Sequence, residues 1–373
     1  MHFIKEATAI ERTLLDHAMQ TRTPISGSIE LTPICNMSCE ICTARLSQRE
    51  VDRQGRLRTV GEWLDIARQM RDAGTLFLQI IGGEPLTYPD FKRLYLGLID
   101  LGMLITVNTN GTLIDEEWAA FFGEHPPRRI NVSLFGADEE TYSSQCHYRG
   151  GFESTVRGVR LLHEHGVDVR INISVAQHNV QDISRMIAVA KWLRVPSRLD
   201  TYMVPVNRGH SLTYDMQLRL SPEDAAQARI QALKEKMSEK KFTQYVKENI
   251  WASQHILPDP VPNKMRCLAG SCSFSINWLG QMRPCAMMTQ PSANTLSIGF
   301  DAAWQYIRAE VNKITLSSKC ASCRLRMLCR TCAASAMLET GSCDGTPEYL
   351  CRYTSRSMEL LLEEAQALSE GKA

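Results

Sequence analysis

The residues best suited to chemistry in this chain are cysteines, and their spacing makes them so. Cys35, Cys39 and Cys42 fall within eight residues, directly after the first predicted strand. Three thiols on one loop suit one compact inorganic site. A structural zinc site closes with four ligands, whereas a cubane iron–sulfur cluster held by three cysteines keeps one iron open to an external ligand. A second set lies far downstream as Cys267-x4-Cys272-x12-Cys285, Cys320-x2-Cys323-x5-Cys329-x2-Cys332 and finally Cys351. Those eight positions would serve two closed four-thiolate sites, of iron–sulfur or zinc type. Nine of the 13 cysteines lie between Cys267 and Cys351. A disulfide framework usually belongs to a short secreted chain. The amino-terminal stretch carries charges throughout and has no signal-peptide core, so metal thiolates are the better reading.

These thiols need a scaffold, and the hydrophobic pattern supplies one. Strands are predicted at Ile29–Thr32, Leu76–Ile81, Leu104–Thr109, Ile130–Leu134, Val169–Val175 and Leu199–Val204, with helical patterns such as Thr59–Ala73, Phe91–Leu101, Phe152–His165 and Val180–Leu193 between them. Strands alternating with helices imply right-handed parallel βαβ units. Six strands rather than eight suggest a partial barrel of the TIM kind. In such a barrel the strand carboxyl ends converge on one face. The cysteine loop, Gly82-Gly83-Glu84-Pro85, Asn108-Thr109-Asn110-Gly111 and Ser133 all stand at predicted strand ends and would share one mouth. Glycines there admit close backbone approach, and Ser or Asn can hydrogen-bond hydroxyls.

The remaining organisation follows from composition. Residues 1–27 read as a helical extension, 28–221 as the barrel, 222–262 as a helical linker, 263–354 as the cysteine-rich unit and 355–373 as a final helix. Ser221-Pro222-Glu223-Asp224 is a helix start, the Lys- and Glu-rich stretch after it a solvated face, and Leu257–Pro262 a stiff extended link. The cysteine-rich segment is poor in core periodicity and is expected to depend on metal for its fold. Lys and Arg number 42 against 41 Asp and Glu. That balance argues against nucleic acid or a polybasic membrane anchor, and a cytoplasmic protein is expected.

The motif Cys-x3-Cys-x2-Cys with a following GGEP resembles the radical S-adenosylmethionine (SAM) superfamily. The resemblance implies that Cys35, Cys39 and Cys42 hold a [4Fe–4S] cluster whose open iron chelates SAM. By the same resemblance Gly82, Gly83, Glu84 and Pro85 bind the SAM amino group mainly through backbone atoms, Asn110 and Ser133 stand at SAM-contacting positions, and Ile41 packs near adenine where many relatives carry an aromatic. The downstream order resembles the SPASM domain, which implies two auxiliary [4Fe–4S] clusters: one on Cys267, Cys272, Cys285 and Cys332, the other on Cys320, Cys323, Cys329 and Cys351. Three [4Fe–4S] clusters and SAM are thus the implied cofactors. The expected fold is a partial (β/α)6 radical SAM barrel with a carboxy-terminal SPASM domain.

Such enzymes mostly act on peptides, so the expected function is hydrogen abstraction from a ribosomal precursor peptide, forming a crosslink, a thioether or a D-residue. The implied partners are that peptide and a low-potential electron donor such as flavodoxin or ferredoxin; residues 1–27 are too short to form a leader-binding domain, so either a separate leader-binding protein supplies that grip or the barrel and SPASM surfaces bind the peptide directly. A sulfatase-maturating or cofactor-maturing enzyme is the alternative. The former carries an Asp after the third auxiliary cysteine, where this chain has Ala286-Met287-Met288. A zinc-binding interaction protein is a more distant one. Cys146 and Cys343 fall outside the ligand sets and read as buried or incidental thiols. Cys146, after the fourth strand, also reads as a hydrogen-atom donor to a substrate radical, and Cys343 as a spare ligand. No residue of the sequence stands out as a general base.

Overall fold

The computed structural model describes residues 8–205, 216–255, 263–265 and 267–370; the expected link at Leu257–Pro262 lies outside them. Six strands run parallel in chain order: β1 (Ser26–Glu30), β2 (Phe77–Ile81), β3 (Leu104–Thr109), β4 (Arg129–Leu134), β5 (Val169–Ser174) and β6 (Ser197–Asp200). The connecting helices bury one stripe each. In Val60–Asp72 the buried Trp63, Ile66, Ala67 and Met70 repeat at helical spacing. Its first turn is closed by a capping box in which Glu62 N donates to Thr59 Oγ1 at 3.2 Å and Thr59 N to Glu62 Oε2 at 2.8 Å.

The sheet continues past β1. From the cysteine-rich segment, β7 (Ser273–Ile276) pairs parallel with β1, and β8 (Gln281–Arg283) and β9 (Ala293–Asn294) extend it antiparallel, giving the order β6-β5-β4-β3-β2-β1-β7-β8-β9. The cysteine-rich segment therefore shares the barrel's own sheet. β7 is four residues hemmed by turns, too short to announce itself by periodicity. β1 starts at Ser26 rather than Ile29, because Ser26 to Ser28 pair with both neighbours. β6 stops at Asp200 rather than Val204: Val175 N donates to Asp200 O at 2.9 Å, and Tyr202 to Pro205 leave the sheet at its carboxyl end.

Helix Pro222–Lys236 starts at the expected cap, Asp224 N donating to Ser221 Oγ at 3.0 Å. It buries Ala225, Ala226, Ala228, Ile230 and Ala232 and packs, with helix Glu239–Gln254, on the last helix. That helix begins at Glu348 rather than Ser355, so Cys351 sits in its first turn. Among the described residues no helix is long and apolar enough to cross a membrane.

The β1–β7 seam is tight. A Cβ on Gly27 would lie 2.3 Å from the Phe274 ring. Phe274 has little room to yield, being buried against Phe300 and Trp304 at centroid distances of 5.0 and 6.3 Å. Gly27→Val is expected to destabilise the fold by about 1–3 kcal/mol through overpacking, read as a lower urea midpoint with unchanged slope.

Candidate active site

β1 delivers the chain to the loop Cys35–Cys42, which neighbouring elements hold in place. Met37 is buried in the core. Ser38 N and Glu40 N donate to the carbonyls of Cys146 and Gln145, both at 3.0 Å, so the end of helix Glu139–Cys146 is bonded to the loop. Past the end of β3, Asn110 Nδ2 donates to Asn36 Oδ1 at 2.8 Å and approaches Cys35 Sγ at 3.8 Å. Glu40 bridges two imidazoles, His147 Nε2 at 2.9 Å and His178 Nε2 at 3.0 Å.

The donor set fits an iron–sulfur group. Met37 N points at Cys35 Sγ (3.4 Å) and Arg45 N at Cys42 Sγ (3.3 Å), the backbone-to-sulfur contacts that stabilise thiolate ligands. Burial pushes the Cys35 thiol up to about 12, with Glu84 and the neighbouring Cys39 and Cys42 adding to the effect. A thiolate there needs a cation beside it. Gln145 is fully buried, and neither end of its amide finds a partner among the described residues.

The Gly82–Pro85 segment lies hard against the entry to this loop. Gly83 N donates to Thr32 O at 2.6 Å and Glu84 N to Ile34 O at 2.9 Å. A Cβ on Gly83 would sit 2.3 Å from Ile34 O, and one on Gly82 2.6 Å from Thr32 O, so only glycine permits this approach. The buried Glu84 carboxylate accepts from Thr109 Oγ1 (2.7 Å), Asn110 N (2.7 Å) and Leu86 N (3.1 Å). Its side chain thereby ties the end of β2 to the end of β3. Burial pushes this carboxyl up to about 7 against those three hydrogen bonds.

A cavity of about 240 Å³ opens beside the loop. Ile41 and Thr43 line it from the loop, Ser174 and Val175 from β5, Asp200 from β6, Tyr202 to Pro205 from the chain beyond, and Met287 from the cysteine-rich segment. Of the residues singled out for SAM contact, Ile41 lines this cavity. Gly82 to Pro85 and Asn110 stand beside the cysteine loop, and Ser133 lies half-buried on β4 in register with Asn172. Sequence reasoning missed Ser174 and Asp200: the rule that selected Ser133 would have found Ser174, next to the end of the expected fifth strand, whereas Asp200 fell at the start of the longer sixth strand expected from composition. Nothing in the sequence announced Met287.

Two charged links from the cysteine-rich segment hold the cavity wall. Asp200 Oδ1 accepts from Arg330 Nη1 at 3.0 Å and from Tyr202 N at 3.1 Å. Tyr202 Oη donates to Glu339 Oε1 at 2.7 Å, and Glu339 takes both terminal nitrogens of Arg219, Nη1 reaching Oε2 at 3.2 Å. The Arg219 guanidinium lies 3.4 Å from the centre of the Tyr349 ring.

Cys146 is fully buried, its thiol hydrogen-bonded to Cys39, and it is not among the described residues lining the cavity. Burial, together with the Cys39 contact, pushes this thiol far above the ordinary range. The downstream thiols gather in two groups that feel one another's charge. Cys267, Cys272, Cys285 and Cys332 form the first, burial pushing Cys272 up to about 11 and Cys285 to about 12. Cys320, Cys323, Cys329 and Cys351 form the second. Burial, with the charges of Asp344 and Cys332, pushes the Cys343 thiol up. Among the described residues no three Cys, His, Asp or Glu side chains close to single-ion spacing.

Residues 29–190 match the model of the Radical SAM superfamily. This stretch is a radical SAM domain, and the cysteine-rich carboxy-terminal segment is consistent with the SPASM type. It is 28% identical over 336 residues to the AdoMet-dependent heme synthase of Methanosarcina barkeri, covering 86% of this chain and 94% of that protein. It is 25% identical over 268 residues to the antilisterial bacteriocin subtilosin biosynthesis protein AlbA of Bacillus subtilis, covering 71% of this chain and 55% of that one. The fold matches Streptococcus suis SuiB bound to precursor peptide SuiA, with a TM-score of 0.66 and 17% identity over 91% of this chain and 79% of that one. The radical SAM match implies a [4Fe–4S] cluster and SAM as cofactors.

The raised Glu84 pKa carries a stability consequence. Between the unfolded value of 4.5 and the folded value of about 7, the native enzyme holds a proton that the unfolded chain has lost, so stability falls as pH rises through that window. Urea unfolding of wild type and Glu84→Gln from pH 4.5 to 8 is therefore expected to show wild type losing ground as pH rises to about 7 and holding level above it. A constant difference across the window contradicts this.

Proposed function

We propose that this enzyme oxidises a peptide. In this reading Cys35, Cys39 and Cys42 hold the cluster that binds SAM, and the two downstream groups hold one further [4Fe–4S] cluster each. When bound, the cluster and SAM supply a 5′-deoxyadenosyl radical that removes a hydrogen atom from an unactivated C–H bond. The chain's own residues prepare the place for that event. Gly82 and Gly83 let β2 close on the cysteine loop, the Asn110–Asn36 bond fixes the loop beside β3, and Ile41 presents an apolar wall to the cavity. Met287, Met203, Val204 and Pro205 exclude water around the reacting carbon. An acidic low-potential carrier of the flavodoxin or ferredoxin kind delivers the electron, and a separate protein or the enzyme's own surface grips the peptide leader.

The observation that carries the substrate class is the charge of the cavity. Its described lining holds one carboxylate, Asp200, and no cation, beside hydroxyls and apolar side chains. A neutral peptide segment enters such a site without an unpaired charge, whereas a ring bearing several carboxylates finds no partner there. The likeness to AlbA, a bacteriocin biosynthesis protein, points the same way. A second reading, a tetrapyrrole substrate, is favoured by the match to the heme synthase over 94% of that protein.

Anaerobic reaction with SAM and reductant, followed by mass spectrometry, separates the two. A precursor peptide encoded beside the enzyme is expected to lose two hydrogens while iron coproporphyrin is returned unchanged; a porphyrin that loses carbon dioxide beside an untouched peptide reverses the assignment. Iron analysis is expected to give about twelve irons per chain, falling to about eight in a Cys320→Ala/Cys323→Ala variant that still cleaves SAM. Stoichiometric zinc in their place would contradict the cluster assignment.

A further inference from the structure

Joining two peptide groups with net loss of two hydrogens requires three acceptors: one for a hydrogen atom, one for a proton and one for an electron. SAM chemistry provides the first. The proton acceptor is the residue that the sequence left unidentified, since Ala286 follows Cys285.

The cavity narrows the choice. Ile41, Val175, Met203, Val204, Pro205 and Met287 have no side-chain group that takes a proton at neutral pH. Thr43 and Ser174 offer only hydroxyls, and Tyr202 has already given its hydroxyl hydrogen to Glu339. Asp200 is the one carboxylate in the described lining. Its two oxygens are not equivalent. Oδ1 is occupied by Arg330 Nη1 and Tyr202 N. Oδ2 accepts no hydrogen bond among the described residues, and Arg198 Nη2 stands 3.8 Å from it. The Asp200 side chain is 40% exposed. It is thus a carboxylate fixed through one oxygen and open through the other. Arg330, which fixes it, lies between Cys329 and Cys332, so the auxiliary thiols and this carboxylate are mechanically linked.

We propose that Asp200 is the general base of the reaction, taking through Oδ2 the proton that the peptide gives up, and that Arg330 is its positioning residue. The step rests on the peptide-oxidation reading above. A C–H hydrogen atom passes to the 5′-deoxyadenosyl radical. An S–H, O–H or N–H group of the same peptide gives its proton to Asp200, its electron pair forms the new bond to the carbon radical, and the surplus electron passes to a one-electron acceptor of iron–sulfur type. The peptide leaves two hydrogens lighter, and the proton on Asp200 returns to solvent.

The test uses reconstituted holoenzyme with SAM, reductant and the neighbouring precursor peptide, perdeuterated for hydrogen transfer and unlabelled for product mass. Asp200→Asn is expected to move deuterium from peptide into 5′-deoxyadenosine within about twofold of wild type, while the lighter peptide falls about a hundredfold or more. Asp200→Glu should restore much of the product. Arg330→Gln should lower product formed per hydrogen transferred and shift its pH profile, and Arg330→Lys should recover both. Asp200→Asn giving the lighter peptide at wild-type rate and with wild-type pH dependence overturns the assignment. So does parallel loss of deuterium transfer and product in that variant, which would make Asp200 a structural residue. Wild-type enzyme that never yields the lighter peptide removes the oxidation reading itself, and this inference with it.

Discussion

β7 meets β1 along Ser26 to Ile29 against Ser273 to Ile276, and the shape of the barrel mouth depends on that seam. Without it, β1 would be an open edge with unpaired backbone groups. With it, Cys272 is pinned where its carbonyl accepts from Ser26 N at 3.2 Å, and Ser28 and Ser275 share a hydrogen bond at 2.9 Å. The chain leaving β8 then brings Met287 to a cavity whose other wall is the cysteine loop. Gly27 permits the contact: any side chain there would occupy the space of the Phe274 ring.

Charge secures what the strand pairing begins. The Arg219–Glu339 pair is nearly buried, with side-chain exposures of 7% and 10%. Tyr202 and the face of Tyr349 complete its surroundings. Such a pair adds little net stability over an apolar substitute, but leaving one member alone costs about 3–5 kcal/mol. Its value is geometric, since Glu339 holds Tyr202 against the cavity wall. The Asp200–Arg330 contact does the same two residues earlier. Two residues of the cavity thus report directly on whether the auxiliary-cysteine segment is in place, and an enzyme with that segment displaced would lose the wall before it lost the barrel.

Much of this is legible in the sequence because the signals are local. Strand cores such as Ile130–Leu134 show in composition and helix starts such as Thr59 and Ser221 in capping chemistry. Spacing alone sorts the cysteines into an upstream set on one loop and a downstream set in the last third of the chain. What stays hidden is long-range. β7 pairs with a strand about 250 residues away, and neither Gly27 nor Phe274 alone says that they meet. Arg330 and Glu339 look like ordinary surface charges until β6 is placed beside them. Cys146 illustrates the same limit. Chain position does not say that its thiol meets Cys39 of the cysteine loop, since only packing decides which way a residue at a helix end faces. β6 is shorter than its composition suggests, because Tyr202 to Val204 have strand-forming residue types yet serve as cavity wall.

The proposed chemistry stands on one cavity, walled jointly by the cysteine loop, β6 and Met287, that receives the reacting part of a peptide. An anaerobic crystal structure of the reconstituted enzyme with SAM and precursor peptide tests it most directly. Electron density for a peptide side chain is expected between Ile41 and Met287, with Asp200 Oδ2 facing it. Peptide bound elsewhere on the barrel, with this cavity filled by water or by a tetrapyrrole, would contradict it.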